Sequence, residues 1–147
     1  MKLTTRGQYA TRALLDLALH QNEGPVLLRE IASRQQISQR YLEHLITPLI
    51  AVGIMTSTRG PRGGVSLARP PEEITLDEVI HLVEGSVAPV KCVSNPEMCQ
   101  RSHLCATRDV WDEVRKAIDG VLASITLRDL VERQKSKEQT AEMMYYI

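Results

Sequence analysis

All three cysteines of the chain lie in one short stretch, between Lys91 and Thr107. Six residues separate Cys92 from Cys99, and five separate Cys99 from Cys105. Three cysteines cannot all pair within one chain, and in a reducing compartment a tight cysteine group more often binds metal or carries redox chemistry than forms disulfides. Because thiolates are the usual ligands of iron–sulfur clusters, the stretch is predicted to hold such a cluster.

A structural zinc site is the alternative from another class of protein, with Cys92, Cys99, Cys105 and His103 as ligands. The cysteine intervals do not match the short spacing of common zinc modules. Iron content and visible absorption of anaerobically purified protein would separate the two. Catalysis is not expected, because the sequence shows no Ser/His/Asp set, phosphate-binding loop or paired-carboxylate pocket, and no small-molecule substrate is predicted.

The composition of the 147 residues is that of one domain, or of one domain with a helical extension. Hydrophobic residues make up 43% and there is no Phe, so aliphatic helix packing has to supply most of the core. No apolar run approaches the roughly 20 residues of a membrane span. The N-terminal residues lack the apolar segment of a signal peptide. A cytoplasmic protein that does not bind membranes is expected.

Charge is distributed unevenly along the chain. Residues 1–69 carry nine Lys and Arg against four Asp and Glu, a balance of +5, which leaves −5 for the remainder. A basic N-terminal half indicates a polyanionic partner such as double-stranded DNA.

The spacing of apolar residues in this basic half predicts three helices. The first runs from about residue 3 to 21, a short one covers about 27–32, and a third runs from 39 to about 50 with Ser38 as its N-cap. A short helix, a tight turn and a helix with a polar outer face are typical of a helix-turn-helix. Pro48 is expected to kink the third helix or end it early.

A β-hairpin is predicted next, with strands at 54–59 and 65–68 joined by the loop Gly60-Pro61-Arg62-Gly63-Gly64. A hairpin directly after a helix-turn-helix makes a winged helix, whose arginines can meet phosphates or enter a minor groove. In the third helix, Arg40 could donate to guanine and Glu43 could accept from cytosine. The full set of predicted DNA contacts is Ser38, Arg40, Tyr41, Glu43, Arg59, Arg62, Gly63 and Gly64.

The second half is predicted to be helical. Thr75 and Glu78 form a capping-box pattern that opens a helix through about Val83. Ser102 is a candidate N-cap that would put Cys105 in the first turn of a long helix, whose near-continuous apolar seam is typical of a dimer interface. Thr126 is predicted to cap a short final helix, followed by a polar, mobile tail.

The predicted fold class is therefore mainly α with a small β-hairpin: a winged helix-turn-helix domain followed by a long dimerisation helix. We divide the chain into a DNA-binding domain at 1–85, a cysteine cluster-binding loop at 86–106, the dimerisation helix and following short helix at 103–134, and a C-terminal tail at 135–147.

Four segments together resemble the bacterial winged-helix regulator family of IscR and NsrR, with the IscR type most similar. They are the start Met1-Lys2-Leu3-Thr4-Thr5-Arg6-Gly7-Gln8-Tyr9-Ala10, the segment Ser38-Gln39-Arg40-Tyr41-Leu42-Glu43, the wing Arg59-Gly60-Pro61-Arg62-Gly63-Gly64 and the three-cysteine loop. The match covers nearly the whole chain. It implies a homodimeric repressor of iron–sulfur cluster biogenesis genes that binds a palindromic operator.

The resemblance also implies that Cys92, Cys99 and Cys105 ligate the cluster, with 2Fe-2S favoured over 4Fe-4S, and that Glu43 tunes which DNA sites are accepted. The chain departs from the family pattern in its six-residue first interval, in Arg108 where a ligating His is common, and in Gln8 where some members carry a ligating Asp. The fourth ligand is therefore open, with His103 as first candidate and Glu43 as second. A nitric-oxide or redox-sensing repressor of the same fold is the alternative function.

Overall fold

The structure is a computed structural model and describes residues 2–146. The last residue of the predicted tail, Ile147, lies outside them. Over this range the helices are α1 (Thr5–Leu19), α2 (Leu28–Gln35), α3 (Gln39–Ala51), α4 (Leu76–Glu84), the short α5 (Lys91–Ser94), α6 (Ala106–Ala123) and α7 (Leu127–Tyr145). The strands β1 (Met55–Thr58) and β2 (Gly64–Leu67) form an antiparallel hairpin between α3 and α4. The predicted fold class is confirmed.

The hydrophobic core is built mainly from one face of each helix in the N-terminal half. α3 buries Leu42, Leu45, Ile46 and Leu49, which recur at helical spacing. Its start is capped as predicted, because the Ser38 hydroxyl accepts from the Tyr41 amide at 3.1 Å. α1, α2, α4, the hairpin and the residues that flank them close the core with Ala10, Ala13, Leu14, Leu17, Ile31, Ile54, Met55, Val65, Ile74, Val79 and Val83.

α7 begins inside this core although it is distant in sequence. Leu127 is fully buried and Val131 nearly so. The Leu127 amide donates to the Ile74 carbonyl and the Leu76 amide to the Ile125 carbonyl, both at 2.9 Å. The core thus joins residues from both the 1–85 and 103–134 segments of the sequence-based division.

The wing is a short hairpin extended by one bridge. β1 and β2 pair from Met55–Leu67 to Thr58–Gly64. Val26, just before α2, exchanges two backbone hydrogen bonds with Val65 and ties the wing to the helices. At the turn a Cβ on Gly63 would lie 2.2 Å from the Thr58 carbonyl oxygen, so this position requires glycine.

Four local predictions differ from the structure. α3 continues through Pro48 to Ala51, close to the predicted end near residue 50, so the early end at Pro48 is wrong, and a kink there stays a prediction. The Thr75 capping box is not formed, because the Thr75 hydroxyl donates to Asp77 and Glu78 pairs with Arg69. Ser102 does not cap α6.

The fourth difference concerns the C-terminus. α7 is a 19-residue helix that includes most of the segment expected to be a mobile tail. Its predicted cap is confirmed: Thr126 and Asp129 bond reciprocally in a capping box, at 3.2 and 2.9 Å. Among residues 2–146, no helix is both long enough and apolar enough to cross a membrane.

Candidate functional site

The outer face of α3 and the wing tip form the candidate DNA-binding surface. Ser38, Arg40 and Glu43 are exposed along the start of α3, and Arg59 and Arg62 are exposed at the wing. The other three predicted contacts lie deeper, since Gly63 is buried and Tyr41 and Gly64 are half-buried. The Tyr41 ring packs edge-on against Tyr9 of α1, with ring centroids 5.9 Å apart.

A buried carboxylate fixes the turn that precedes α3. Asp16 of α1 is only 1% exposed. It accepts two hydrogen bonds from Arg34, at 2.7 and 2.9 Å, and one from Gln35, at 3.0 Å. Arg12 in turn bonds to Gln35. Gln36 follows in the left-handed conformation, with φ 55°. This network holds the end of α2 against α1 and so sets the direction in which the chain enters α3.

Burial and hydrogen bonding act in opposite directions on Asp16. Burial alone would raise the pKa of its carboxyl group, but the hydrogen bonds from Arg34 and Gln35, together with the Arg34 charge, lower the pKa of Asp16 below its ordinary value. The group is therefore ionised at neutral pH and its charge is satisfied within the fold.

The cysteine loop, residues 85–105, connects α4 to α6. Cys92 lies in α5 and is half-buried, Cys99 is exposed, and Cys105 is half-buried at the N-cap of α6. Ser102 lies in the 3₁₀ turn before Cys105, where its hydroxyl is within hydrogen-bond distance of the Pro96 and Cys99 carbonyls, at 2.7 and 2.9 Å. Ser102 therefore folds the loop on itself.

Hydrogen bonds surround the Cys105 thiol. Its sulfur lies 3.1 Å from the Thr107 hydroxyl. This hydrogen bond, together with those from the Arg108 and Thr107 amides, lowers the pKa of Cys105 below its ordinary value. The N-cap position favours the thiolate in the same direction, and thiolate is the form that binds metals.

Arg108 joins the two ends of the loop. Its Nε donates to the Cys92 carbonyl at 3.1 Å, so the first turn of α6 is bonded to α5. Position 108, where the resemblance suggests a ligating His, is thus occupied by an Arg that bonds to the backbone of α5. His103 is exposed in the 3₁₀ turn before Cys105, and Glu43 is exposed on α3.

Thiol donors are present, but they are not assembled. Across residues 2–146, no three Cys, His, Asp or Glu side chains are grouped so that they could hold one metal ion. The donor chemistry of the loop suits a thiolate-ligated cofactor, whereas the loop would have to bring its three cysteines together to hold one. The ligand set, including His103 or Glu43, stays a prediction.

α6 carries the apolar stripe, which consists of Val110, Trp111, Val114, Ile118, Val121 and Leu122. At 3.6 residues per turn these side chains span about one third of the helix circumference. α6 lies wholly within the described part of the chain and buries none of its residues. Val121 is 58% exposed and Trp111 41% exposed. Ile118 and Leu122 also line a groove of about 460 Å³ against α1 and α4, together with Leu3, Leu76, Ile80 and Val87.

A hydrogen-bond network connects α6 to α4 of the winged-helix domain. His81 Nε2 of α4 lies 2.8 Å from an Asp119 carboxylate oxygen of α6, and its Nδ1 lies 3.1 Å from the Gly85 carbonyl oxygen. Arg115 bonds both Asp112 and Asp119. Sequence reasoning did not find this network or the Asp16 network, because each joins residues far apart in the chain. The one signal in the sequence was Asp16 on the apolar face of α1, which points to the Asp16 network alone.

These observations define the class: a winged-helix DNA-binding protein with a cysteine-containing connector and a C-terminal helical region. The chain belongs to the Rrf2 family, whose model matches residues 3–133 and is described as "Iron-dependent Transcriptional regulator". It is a transcriptional regulator and not an enzyme, as expected.

Known relatives cover most of the chain. The protein rrf2 of Nitratidesulfovibrio vulgaris is 46% identical over 131 residues, which cover 89% of this chain and 87% of that protein. The HTH-type transcriptional regulator IscR of Photorhabdus laumondii is 44% identical over 92% of this chain and 82% of its own length.

Solved structures show the same fold. IscR of T. potens superposes with a TM-score of 0.76 and 40% identity, over 91% of this chain and 88% of that one. CymR, the global cysteine regulator of B. subtilis, superposes with a TM-score of 0.78 and 34% identity, over 90% of this chain and 98% of that one. The resemblance to the bacterial regulator family that includes IscR is confirmed.

Proposed function

We propose that the chain is a repressor that senses an iron–sulfur cluster and controls genes of iron–sulfur cluster biogenesis. The observation that carries the proposal is the position of the cysteines: all three lie in the connector between the winged-helix domain and α6. A change in this connector can therefore alter how the DNA-binding domain is held. The family description and the IscR-named relatives support the same assignment.

Cys92, Cys99 and Cys105 would hold the cluster. His103 is the first candidate for a fourth ligand, since it lies two residues before Cys105 in the same turn, and Glu43 is the second. When bound, an iron–sulfur cluster supplies a thiolate-ligated iron centre that can change redox state or be lost. The resemblance to IscR favours 2Fe-2S over 4Fe-4S.

The chain's own residues prepare the loop for this role. Hydrogen bonds around Cys105 favour its thiolate, and Arg108 keeps the α5 backbone against α6. Cys99 is the exposed donor of the three, and the loop has to rearrange to bring all three sulfur atoms together. Ordering of the loop would fix α4 relative to α6, because the loop links the two helices directly.

DNA binding is assigned to α3 and the wing. The exposed Arg40 and Glu43 would face base edges in the major groove, where their charges discriminate between acceptor and donor groups. Arg59 and Arg62 would contact phosphates or the minor groove. Tyr41, Gly63 and Gly64 would shape the surface more than touch DNA, given their burial.

The operator-binding unit is proposed to be a homodimer that pairs through α6 and binds a palindromic site. An exposed apolar stripe on a long helix is typical of a subunit interface, and the groove beside it adds apolar surface from α1 and α4.

Substitution of Val114 tests this interface. Val114→Asp places a charge in the middle of the stripe and should raise the dimer dissociation constant by at least about 100-fold. Analytical ultracentrifugation over a concentration series measures it. Glu113→Ala, an exposed neighbour on the same helix, is the matched control and should leave the constant unchanged. Normal dimerisation of Val114→Asp would exclude α6 as the interface.

The sensing function is tested with anaerobically purified protein. Iron and sulfide in stoichiometric amounts, visible absorption and a different affinity for promoter DNA after cluster removal are the expected results. A Cys92→Ala/Cys99→Ala/Cys105→Ala variant should lose the colour and bind DNA like the cluster-free protein. Identical DNA binding by the loaded and triple-variant proteins would refute sensing. Colourless protein containing zinc would establish the structural zinc site instead.

Redox or nitric-oxide sensing by the same fold is the second candidate. It is favoured by the exposed Cys99 thiol and the lowered pKa of Cys105, since exposed and thiolate-prone cysteines are the ones that oxidise. Peroxide or nitric oxide should then change DNA affinity even in protein that contains no iron.

A further inference from the structure

The first turn of α1 depends on a distant residue for its cap. Helix N-termini leave backbone N–H groups unpaired and favour a negative charge nearby. The turn reads Thr5-Arg6-Gly7-Gln8 and contains no carboxylate. Thr4, at the N-cap position, donates its hydroxyl to Glu84 instead of accepting from α1. α1 therefore has no cap from its own sequence.

Glu84, the last residue of α4, supplies that cap. Its Oε1 accepts from the Thr4 amide at 3.0 Å and from the Gly7 amide at 2.9 Å, in addition to the Thr4 hydroxyl. Burial opposes ionisation, but these hydrogen bonds lower the pKa of Glu84 below its ordinary value. The carboxylate is thus charged at neutral pH, as a helix N-terminus favours.

Gly7 makes this approach sterically feasible. A Cβ at position 7 would lie 2.6 Å from Glu84 Oε1 and 2.7 Å from Leu3 Cδ1, both shorter than real contacts. A larger residue at position 7 would push the Glu84 carboxylate, the end of a flexible side chain, away from the Gly7 amide. Gly7 and Glu84 therefore form a matched pair, 77 positions apart in the chain.

The pair lies between the cysteine loop and the DNA-binding surface. Gly85, with φ 79°, turns the chain directly from Glu84 into the loop. On the other side, Tyr9 follows Gly7 by two residues and packs on Tyr41 in the first turn of α3. A continuous set of contacts thus runs from the loop through Glu84 and α1 to the proposed recognition helix.

We propose that Glu84 is a positioning residue that transmits the state of the cysteine loop to α3 by making or releasing the cap on α1. The inference rests on the proposed function, because it needs a loop whose state changes. When the loop draws the end of α4 away from α1, the amides of Thr4 and Gly7 lose their acceptor and the α1–α3 contact loosens. When the loop holds α4 in place, the cap is complete and α3 is fixed.

Two variants break the cap from opposite sides. Glu84→Ala removes the acceptor, and Gly7→Ala, which suits a helix, pushes the carboxylate away. Both should keep the visible absorption and iron content of wild type. Amide hydrogen exchange in the first turn of α1 should rise about fivefold, as expected for loss of one cap. The ratio of DNA affinities between loaded and iron-free protein should fall to within about twofold of one.

Glu78→Gln is the matched control, because Glu78 lies on the same helix but pairs with Arg69 rather than α1. It should retain both the slow exchange in α1 and the wild-type affinity ratio. Glu84→Gln keeps a neutral acceptor and should give intermediate values for both. This graded series separates transmission from a general loss of stability.

Four outcomes would overturn the inference. Unchanged exchange in Glu84→Ala would show that the cap does not hold α1. Faster exchange with an unchanged affinity ratio would make Glu84 a structural residue without a role in transmission. A wild-type ratio of one would refute the proposed sensing function and the transmission together, whereas a normal wild-type ratio that persists in both variants would refute transmission alone.

Discussion

Asp16 is the most deeply buried charged side chain in the described part of the chain, and it stabilises the helix-turn-helix through Arg34 and Gln35. Asn at this position keeps one acceptor oxygen, but it loses the charge and turns a buried amide NH2 group toward the donors of Arg34 or Gln35. We expect Asp16→Asn to lower the free energy of unfolding by about 2 kcal/mol at pH 7. Urea denaturation measures it.

The pH dependence follows from the lowered pKa of Asp16. A carboxyl whose folded-state pKa lies below its unfolded value contributes stability above the unfolded value, and that stability is lost as the pH falls through the folded one. The difference between wild type and Asp16→Asn should therefore shrink below about pH 4. Glu132→Gln, from the exposed pair with Arg128, is the control and should have little effect at any pH. A difference that is independent of pH would contradict the ion-pair account.

Glu43 and Arg62 should affect DNA binding in different ways. Glu43 is exposed on the outer face of α3, so Glu43→Ala should relax discrimination among operator variants by about tenfold while tight binding is kept. Arg62 is exposed at the wing tip, so Arg62→Ala should weaken binding to all sequences and reduce the salt slope by about one. Gel shifts on a panel of sites at several salt concentrations measure both. Unchanged site preference in Glu43→Ala would contradict its assignment.

Elements with strong local signals could be predicted from the sequence. The apolar spacing of α3, the Ser38 and Thr126 caps and the glycine-rich wing turn all act within a few residues, and all are present in the structure. Thr75 failed as a cap because a tertiary contact, Glu78 with Arg69, competed with the local pattern. The bond between Glu84 and Gly7 could not be predicted, since nothing local indicates which carboxylate reaches a helix 77 positions away.

α7 combines two parts with different roles in stability. Leu127 and Val131 lie in the core, whereas residues 135–146 are all exposed. Truncation after Gln134 should therefore change the free energy of unfolding by less than about 0.5 kcal/mol. Val131→Ala should lower it by about 2 kcal/mol, because it removes buried apolar volume. Thermal and urea denaturation of the truncated protein and of Val131→Ala measure both changes in the free energy of unfolding. A large loss on truncation would show that the distal half of α7 is held by contacts beyond the core.

The whole molecule separates its charges and its roles along the chain. Residues 1–69 carry the surplus of positive charge and the DNA-binding surface, while the acidic remainder carries the cysteine loop and the apolar stripe. If two copies pair through α6, their α3 helices face the same side of DNA at a fixed separation, and half-sites have to match it. The proposed homodimer therefore predicts a defined spacing in the operator.

Spacer length tests this geometry directly. Half-sites of a dimeric helix-turn-helix protein lie about 10 bp apart or a multiple of that, and inserting about 5 bp rotates one half-site to the opposite face of the duplex. The affinity of wild type for such a lengthened operator should fall to that for a single half-site. Base changes in the spacer that keep its length should alter the affinity of wild type for the operator by less than about threefold. The monomeric Val114→Asp variant should bind every spacer length equally, since each copy contacts one half-site alone. Spacer-independent binding by the wild-type dimer would show that α6 does not fix the two DNA-binding domains relative to each other.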